Sequence, residues 1–183
     1  NIKKLDPDIY TGACHKWMCT PKGISFLYVR KDLQEKIHPL VVSWGWESEN
    51  PGPSQFLDWH EWQGTRDMSA FLTIPIAIKF LEKHNWWEVA KRCQKQVIQS
   101  RNQFLDLLNI VSPSPDNFLG QMASIPLPIT EPDTFKKKLL DMYRIQVPIF
   151  QWEGKVYLRY SIQAYNSKLD LEKLLSAVKE LLL

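Results

Sequence analysis

The sequence lacks the many cysteines, the long apolar run and the local excess of basic residues that mark disulfide-rich, membrane-spanning and nucleic-acid-binding proteins, respectively. It has only three cysteines, and their scattered positions do not make a disulfide framework. Its longest apolar stretch, residues 71–78, is far too short to cross a bilayer as a helix. The 23 basic and 20 acidic residues are mixed along the chain and give a net charge of +3, so no basic patch for nucleic acid stands out. These absences favour a cytoplasmic protein that binds neither a membrane nor a nucleic acid.

A metal site has weak support as well. Cys14, His15 and Cys19 lie close together in the sequence. A closed zinc site, however, needs four ligands with convincing paired spacing. We therefore expect no metal ion. His60 and Glu61 are interpreted as exposed loop residues rather than as the lining of a pocket.

Tryptophan is the residue in excess, with eight among 183 residues. Tryptophans usually indicate large packed surfaces or interfaces. Residues 43–67 hold four of them together with glycine, proline and charge, and this segment has no sustained periodicity. A long stretch of this kind is typical of a functional or interface loop. The four residues are Trp44, Trp46, Trp59 and Trp62.

The first half of the chain predicts one strand followed by two helices. Residues 24–29 are apolar and aromatic, which indicates a buried strand. Residues 69–83 form a helix that is apolar on most sides, so we expect it to be buried. Residues 86–108 carry apolar side chains near helical spacing and predict a long helix that bridges two layers or domains.

The second half predicts a small α+β domain. Its alternating residues indicate half-buried strands, and its final helix has one apolar face. Residues 1–94 therefore read as the end of a larger domain, and residues 95–183 as the small domain. The predicted elements are a strand at 121–127, a helix at 133–143, strands around Val147 and Leu158, and a final helix capped by Asp170.

Lys16 is the first candidate catalytic residue, in the segment HKWMCTPKGISFLYVR at positions 15–30. Trp17, Met18 and Ile9 are apolar neighbours that would desolvate an ammonium group and lower its pKa. A lysine of this kind can attack a carbonyl and hold it as an imine. Considered alone, the residue favours the ordinary interpretation of a solvated charge over that of a catalytic amine.

Three segments together resemble one family of enzymes. DPDIYTGACHKWMCTPKGISFLYVR, at residues 6–30, resembles the cofactor-lysine segment of the pyridoxal-phosphate enzymes called class V aminotransferases. The isopenicillin N epimerase-like subgroup is the most similar. WQGTRDMSAFLTIPIAIKFL (residues 62–81) and YLRYSIQAYNSKLDLEKL (residues 157–174) follow in the order and spacing of the family. The resemblance implies an α/β fold, namely the C-terminal part of a fold-type I pyridoxal-phosphate-dependent transferase: the end of the large α/β domain plus a small α+β domain.

The resemblance also assigns roles near the lysine. It implies that Lys16 forms a Schiff base with pyridoxal 5'-phosphate and moves the α-proton of an amino-acid substrate. It implies that His15 hydrogen-bonds the cofactor phosphate, although a core or turn histidine is the alternative. Relatives often have Ser or Asn where this chain has Ala13, so one phosphate contact is absent or supplied differently.

Gly64 and Thr65 match the family segment that reaches the partner subunit's cofactor phosphate. A glycine lets the backbone come close, and a threonine hydroxyl can donate to phosphate oxygens. The resemblance therefore implies a homodimer with shared active sites. Without it, the two residues would be interpreted as a plain turn.

Arg159 has support from strand alternation. Alternation places it on the face opposite Leu158 and Tyr160, so it points away from the small-domain core. Its planar guanidinium is suited to a substrate carboxylate, and the family position favours that role over a surface charge.

The resemblance also shows what this chain lacks. Family members carry an aspartate for the pyridine nitrogen and an aromatic ring over the cofactor upstream of the lysine, and only fifteen residues precede Lys16. We expect the N-terminal half of the enzyme to be missing from this sequence. The alternative is a non-catalytic dimerisation or binding remnant of the same fold.

The reaction type stays open between an epimerase, an aminotransferase and a C–S lyase, with epimerase-like chemistry favoured by resemblance alone. A persulfide-forming desulfurase is not expected, because residues 94–183 contain no cysteine. Cys93 lies on the apolar face of the bridging helix, and we expect Cys14 and Cys19 to be buried structural thiols.

Overall fold

The computed structural model describes all residues from 1 to 183, in two compact units of residues 1–84 and 85–183. The division falls ten residues before the predicted boundary between residues 94 and 95. The predicted boundary lies within a continuous helix, residues 86–108. Val89 and Cys93, in the first turns of that helix, belong to the core of the second unit, which explains why the whole helix is grouped with it. No helix in the chain is both long and apolar enough to span a bilayer.

The first unit contains a two-stranded sheet, three α-helices and two 3₁₀ helices, joined by irregular segments. The predicted strand is present at Ser25–Val29, but it is not buried as expected, because Phe26 and Leu27 are 40% and 44% exposed. It pairs with an additional strand that the sequence analysis did not identify. The elements are α1 (Ile2–Leu5), β1 (Ile9–Ala13), β2 (Ser25–Val29), a 3₁₀ helix (Lys31–Lys36), α2 (Gln55–Glu61), a second 3₁₀ helix (Phe71–Thr73) and α3 (Ile74–Lys83).

Strands β1 and β2 form an antiparallel pair with Ile9 opposite Val29 and Ala13 opposite Ser25. One further backbone bond continues the pairing, from the Cys14 N–H to the Ile24 carbonyl at 3.0 Å. The connection between the strands is therefore held at its base. This connection carries His15 and Lys16.

The segment at 43–67 was expected to lack structure, but it contains helix α2. Ser54 caps this helix, because its hydroxyl accepts a hydrogen bond from the Leu57 N–H at 3.4 Å. The helix has only seven residues, and its aromatic residues Phe56, Trp59 and His60 lie on one face. Such a short element gives too few turns for a helical period to be recognised.

Helix α3 corrects a second expectation. The sequence predicts a buried helix, whereas none of its residues is buried and Ile76 is 69% exposed. Apolar residues around a helix predict burial only where neighbouring elements cover them. In the first unit no element covers the apolar residues Ile76 and Ile78 of α3, so they are exposed to solvent.

The second unit is a three-stranded antiparallel sheet with helices packed on one face. The strand order is β3-β5-β4, so β5 is the central strand. Helices α4, α5 and α6 pack against the sheet or one another and enclose the core. The elements are α4 (Trp86–Leu108), a 3₁₀ helix (Asp116–Phe118), β3 (Met122–Leu127), α5 (Pro132–Tyr143), β4 (Ile149–Trp152), β5 (Lys155–Ser161) and α6 (Lys168–Leu182).

Strand β4 is shorter than the alternation predicted. Ile145 and Val147 are half-buried and Ile149 is buried, so the alternation of side chains is present. The ladder itself begins at Ile149. Pro148 has no N–H to donate, although its carbonyl accepts a hydrogen bond from the Arg159 N–H at 2.9 Å.

Helix α6 begins at Lys168 and is capped by Ser167, not by Asp170 as predicted. Asp170 is the third helical residue of a capping box. Its carboxylate accepts from the Ser167 N–H at 2.7 Å, and its own N–H donates to the Ser167 hydroxyl at 3.3 Å. Both residues therefore satisfy backbone groups that the helix would otherwise leave free.

Arg101 is a buried arginine that the sequence analysis did not identify. It is 3% exposed, and its guanidinium donates to the Ser114 carbonyl at 2.8 Å and forms an ion pair with Asp116. These bonds attach the segment after α4 to the helix. A buried charge with partners of this kind is a structural feature of the second unit.

Candidate functional site

Lys16 lies in the connection that follows β1. The turn is closed by a hydrogen bond from the Cys19 N–H to the Lys16 carbonyl at 3.2 Å. Cys14, two residues earlier, is 2% exposed and anchors the base of the connection. Gly23 at its far end has φ +94°, a conformation that glycine adopts with least strain. The Lys16 side chain is exposed and forms no ion pair with the carboxylates of the chain.

The exposure of Lys16 corrects the expectation that apolar neighbours desolvate its ammonium group. Trp17 is 42% exposed and Ile9 is 48% exposed. These side chains face solvent themselves, so they do not enclose the lysine. Apolar neighbours in sequence lower a lysine pKa only when the fold packs them around its Nζ atom.

His15 has a buried nitrogen without a partner. The ring is half-buried, and its Nδ1 atom accepts and donates no hydrogen bond within the chain. Buried polar atoms are nearly always paired, so an orphan of this kind requires an explanation. A hydrogen-bonding group outside this chain is the simplest partner.

Gly64 and Thr65 lie in the turn after α2. Gly64 has φ +94°, which makes the residue hard to replace by one with a side chain. The nearest atom to its missing Cβ position is the Ser43 hydroxyl, at 3.8 Å. Thr65 is exposed. The structure therefore presents the glycine backbone and the threonine side chain together on one turn.

No hydrogen bond or ion pair joins the turn at residues 64–65 to the turn at residues 14–16. The two segments are separate features of the first unit. Their roles in one site stay a prediction from the resemblance.

Arg66 adds positive charge beside Thr65, and the sequence analysis did not single it out. Its guanidinium donates to the Gln63 side-chain oxygen at 2.8 Å and lies over the Phe71 ring, 5.2 Å from the ring centre. It pairs with no carboxylate of the chain. The signal in the sequence was the arginine directly after Gly-Thr in the segment that resembles the family.

The tryptophan-rich segment packs partly on itself. The rings of Trp46 and Trp59 lie 4.6 Å apart between centres, and His38 meets both edge-on at 5.7 and 5.5 Å. Gly45 allows this packing, because a Cβ there would lie 1.8 Å from the Asp58 carbonyl oxygen. The other two tryptophans of the segment, Trp44 and Trp62, are 83% and 57% exposed.

His60 is not an exposed loop residue as expected. It lies in α2, is half-buried, and meets the Phe56 ring edge-on at 4.4 Å. Its Nε2 atom is buried without a partner. Burial lowers the pKa of the His60 imidazole below its usual 6.5, because the charged form loses contact with water.

Arg159 lies on the central strand of the second unit. The burial pattern of β5 alternates, with Leu158 and Tyr160 buried and Arg159 exposed on the opposite face. Ser124 of β3 is its cross-strand neighbour. The guanidinium lies over the Phe150 ring, 5.9 Å from the ring centre, and forms no ion pair with any carboxylate of the chain. It is a positive charge without a carboxylate partner, on a strand that is paired on both sides.

Comparison with solved structures shows which class of enzyme has this fold. The chain folds as the C-terminal portion of the fold-type I pyridoxal-phosphate-dependent enzymes. It matches the cysteine desulfurase of Thermococcus onnurineus NA1 over 100% of this chain and 48% of that one, with a TM-score of 0.76 and 21% identity. The structure of the cystine C–S lyase C-DES, in complex with its reaction product cysteine persulfide, matches 98% of this chain and 48% of that one, with a TM-score of 0.72 and 18% identity.

The chain belongs to the aminotransferase class-V family, whose model matches residues 1–174. It is 31% identical to the isopenicillin N epimerase of Amycolatopsis lactamdurans, over 99% of this chain and 48% of that protein. It is 27% identical to a probable chloroplastic L-cysteine desulfhydrase of Arabidopsis thaliana, over 99% of this chain and 41% of that protein. The chain thus spans about half the length of the curated relatives that it matches.

Pyridoxal phosphate is the cofactor of this family, and the residues present fit it. The Nδ1 atom of His15 has no partner within the chain, and the exposed Lys16 amine is adjacent in the sequence. Gly64, at φ +94°, offers backbone that can come close to a phosphate. These observations are the structural basis for assigning the cofactor to this chain.

Proposed function

We propose that this chain provides the C-terminal half of a pyridoxal-phosphate-dependent enzyme that acts at Cα of an amino acid. The observation that carries the proposal is the pair formed by His15 and Lys16. A buried nitrogen without a partner stands next to an exposed, unpaired amine, within the segment that resembles the cofactor-lysine segment of the family.

Each candidate residue has a role in this proposal. When bound, pyridoxal phosphate withdraws electrons from Cα of the substrate. Lys16 would hold the cofactor covalently through Nζ. Once the substrate amine had displaced Lys16, its free amine would accept and return the Cα proton. His15 hydrogen-bonds the phosphate. Arg159 binds the substrate carboxylate through its guanidinium, where two parallel N–H groups can pair with two oxygens.

The proposed working unit is a cytoplasmic homodimer with shared active sites. Gly64 and Thr65 of one subunit bind the phosphate in the partner's site, and Arg66 adds positive charge at the same turn. A segment of similar length supplies the aspartate for the pyridine nitrogen and the ring over the cofactor. This part of the proposal rests on the family resemblance and on the share of the relatives that the chain covers.

Borohydride reduction followed by peptide mapping tests the assignment of Lys16. The holoprotein is the protein purified with its cofactor, including the segment that completes the site. Reduction should fix a pyridoxyl group on Lys16, and Lys16→Ala should abolish the label. Lys22→Ala is the matched control, since Lys22 lies in the same connection and should leave the label unchanged. A label on Lys22 or Lys31 in the unaltered protein contradicts the assignment.

The second candidate function is a pyridoxal-phosphate-dependent C–S lyase. Its support is the match to curated L-cysteine desulfhydrases over 99% of this chain, at 27% and 28% identity. Epimerase chemistry has the support of the 31% identity to an isopenicillin N epimerase. Sulfide release from L-cysteine would favour the lyase, and inversion of configuration at Cα without sulfide release would favour an epimerase.

A further inference from the structure

Arg159 sits in an asymmetric setting on the open face of the small sheet. Phe150 of β4 lies on one side, with its ring centre 5.9 Å from the guanidinium carbon. On the other side, β3 places the small Ser124 directly opposite Arg159. An aromatic ring thus flanks the guanidinium on one side, and a residue with a short side chain leaves room on the other.

The Phe150 ring is itself held in place. Phe150 is the cross-strand partner of Tyr157, and the two rings stack at 5.9 Å with an angle of 21° between their planes. Tyr157 and Arg159 lie two residues apart on the same face of β5. Phe150 is therefore a diagonal cross-strand neighbour of Arg159. Aromatic and long side chains can span the distance between two such positions.

The backbone below this face is also fixed. Strand β5 is paired on both sides, and the Arg159 N–H donates to the Pro148 carbonyl at 2.9 Å. Tyr160, the next residue, is anchored in the core by its bond to Ser100 at 2.7 Å. The side chain of an exposed arginine is nevertheless flexible, so the backbone alone does not orient its guanidinium.

We propose that Phe150 is a positioning residue for substrate binding, which holds the Arg159 guanidinium in the orientation that receives the substrate carboxylate. This inference rests on the proposed function, because it requires Arg159 to bind that carboxylate. A cation over an aromatic face is attracted by the negative charge of the ring face. The attraction restricts the arginine before the substrate arrives, so less conformational entropy is lost on binding.

The strength of the cation–π contact sets the expected change in substrate binding when Phe150 is replaced. At exposed sites a cation–π contact changes an equilibrium by roughly two- to fivefold. Phe150→Leu should weaken the binding of a carboxylate-bearing amine by about that factor. Phe150→Tyr keeps the ring and should restore the binding.

The experiment compares L-alanine with ethylamine, which is the same molecule without its carboxylate. Both are titrated into the holoprotein while the cofactor absorbance is followed. Phe150→Leu should weaken binding of L-alanine and leave ethylamine unchanged. Trp152→Leu is the matched control, because Trp152 is on the same strand and face but opposite Lys155. It should bind both probes as the unaltered protein does.

A second readout does not depend on the chemistry of the enzyme. The ring current of Phe150 should shift the resonances of the Arg159 side chain, and these shifts should collapse in Phe150→Leu and persist in Phe150→Tyr. Thermal unfolding of each variant checks that the fold is retained. Phe150 is 36% exposed, so the substitution leaves no buried cavity.

The outcomes separate the two proposals. If Arg159→Ala leaves L-alanine binding unchanged, the proposed role of Arg159 is wrong. If Arg159→Ala weakens binding but Phe150→Leu does not, only the positioning role is wrong. In the Arg159→Ala background, Phe150→Leu should have no further effect on L-alanine. A further loss in that background, or an equal loss for both probes, would overturn the inference.

Discussion

The hydroxyl oxygens of Ser100 and Tyr160 lie 2.7 Å apart in the core of the second unit, where they join helix α4 to the central strand β5. Tyr160 is 4% exposed, and burial raises the pKa of its phenol from 10.0 to about 12. The strand that this bond anchors carries Arg159 on its opposite face. The core contact therefore supports the position of the proposed carboxylate-binding residue.

The raised pKa of Tyr160 predicts a loss of stability in alkali. In the folded state the phenol stays neutral up to about pH 12, whereas in the unfolded chain it ionises near pH 10.0. Its contribution is fully present below pH 10 and is lost as the pH rises from there towards 12. Urea unfolding between pH 8 and 11.5 measures this decline.

Tyr160→Phe isolates the contribution of the phenol. Below pH 10 the variant should lose about 0.5–1.5 kcal/mol in the free energy of unfolding, because the Ser100 hydroxyl loses a partner. Its decline above pH 10 should be shallower than in the unaltered protein. Tyr165→Phe is the control, because Tyr165 is 85% exposed and should keep the full decline. Equal slopes in all three proteins would contradict the assignment.

Substitution of Arg159 tests substrate recognition. Loss of a charge-assisted pair with a carboxylate typically costs about 2–5 kcal/mol. Arg159→Ala should therefore lower kcat/KM strongly while leaving the cofactor absorbance unchanged. Steady-state kinetics and an absorbance spectrum of the same holoprotein sample provide both measurements. Loss of the cofactor without an effect on the substrate would place Arg159 elsewhere.

The sequence predicted those features that depend on local pattern. Helix α4 was predicted at both ends, because its apolar residues keep a helical period over 23 residues. Alternation along residues 156–160 predicted the open face of Arg159. Both predictions need only the order of residues within one element.

Predictions that depend on distant parts of the chain were less successful. Whether Trp17 and Ile9 surround Lys16 depends on how the connection after β1 folds, and the structure leaves all three exposed. The buried Arg101 was missed because its partners, Ser114 and Asp116, come from a segment without a periodic pattern. Whether a residue is buried depends on contacts with distant parts of the chain, and a short stretch of sequence does not contain those contacts.

Mixed dimers test the sharing of active sites. A Lys16→Ala subunit lacks the proposed covalent attachment, and a Thr65→Ala subunit lacks a proposed phosphate donor. In a mixed dimer one of the two sites regains both groups, so activity should be partly restored. Two affinity tags allow the mixed species to be purified and assayed beside each parent. If no mixed dimer recovers activity, Thr65 does not act across the interface.

The cysteines lead to the last prediction, which concerns persulfide chemistry. Cys14 and Cys93 are 2% and 5% exposed, as expected for structural thiols, whereas Cys19 is exposed and corrects that expectation. Cys19 lies in the turn closed on Lys16, and its thiol lies 3.9 Å from the Trp17 carbonyl oxygen. Because its backbone forms part of this turn, at φ 59°, we do not expect Cys19 to act as a mobile nucleophile.

We therefore predict that no persulfide forms on Cys14, Cys19 or Cys93 when the holoprotein is incubated with L-cysteine. The second unit contains only Cys93, whose thiol is buried away from a substrate sulfur, while Cys19 is part of the turn that its N–H closes on Lys16. Mass spectrometry of the alkylated protein after incubation measures the modification at each cysteine. Cys19→Ser provides the control, because it removes the one exposed thiol and should leave any release of sulfide unchanged. A persulfide on Cys19 that disappears in this variant would show that the turn supplies a nucleophile, and the prediction would be wrong.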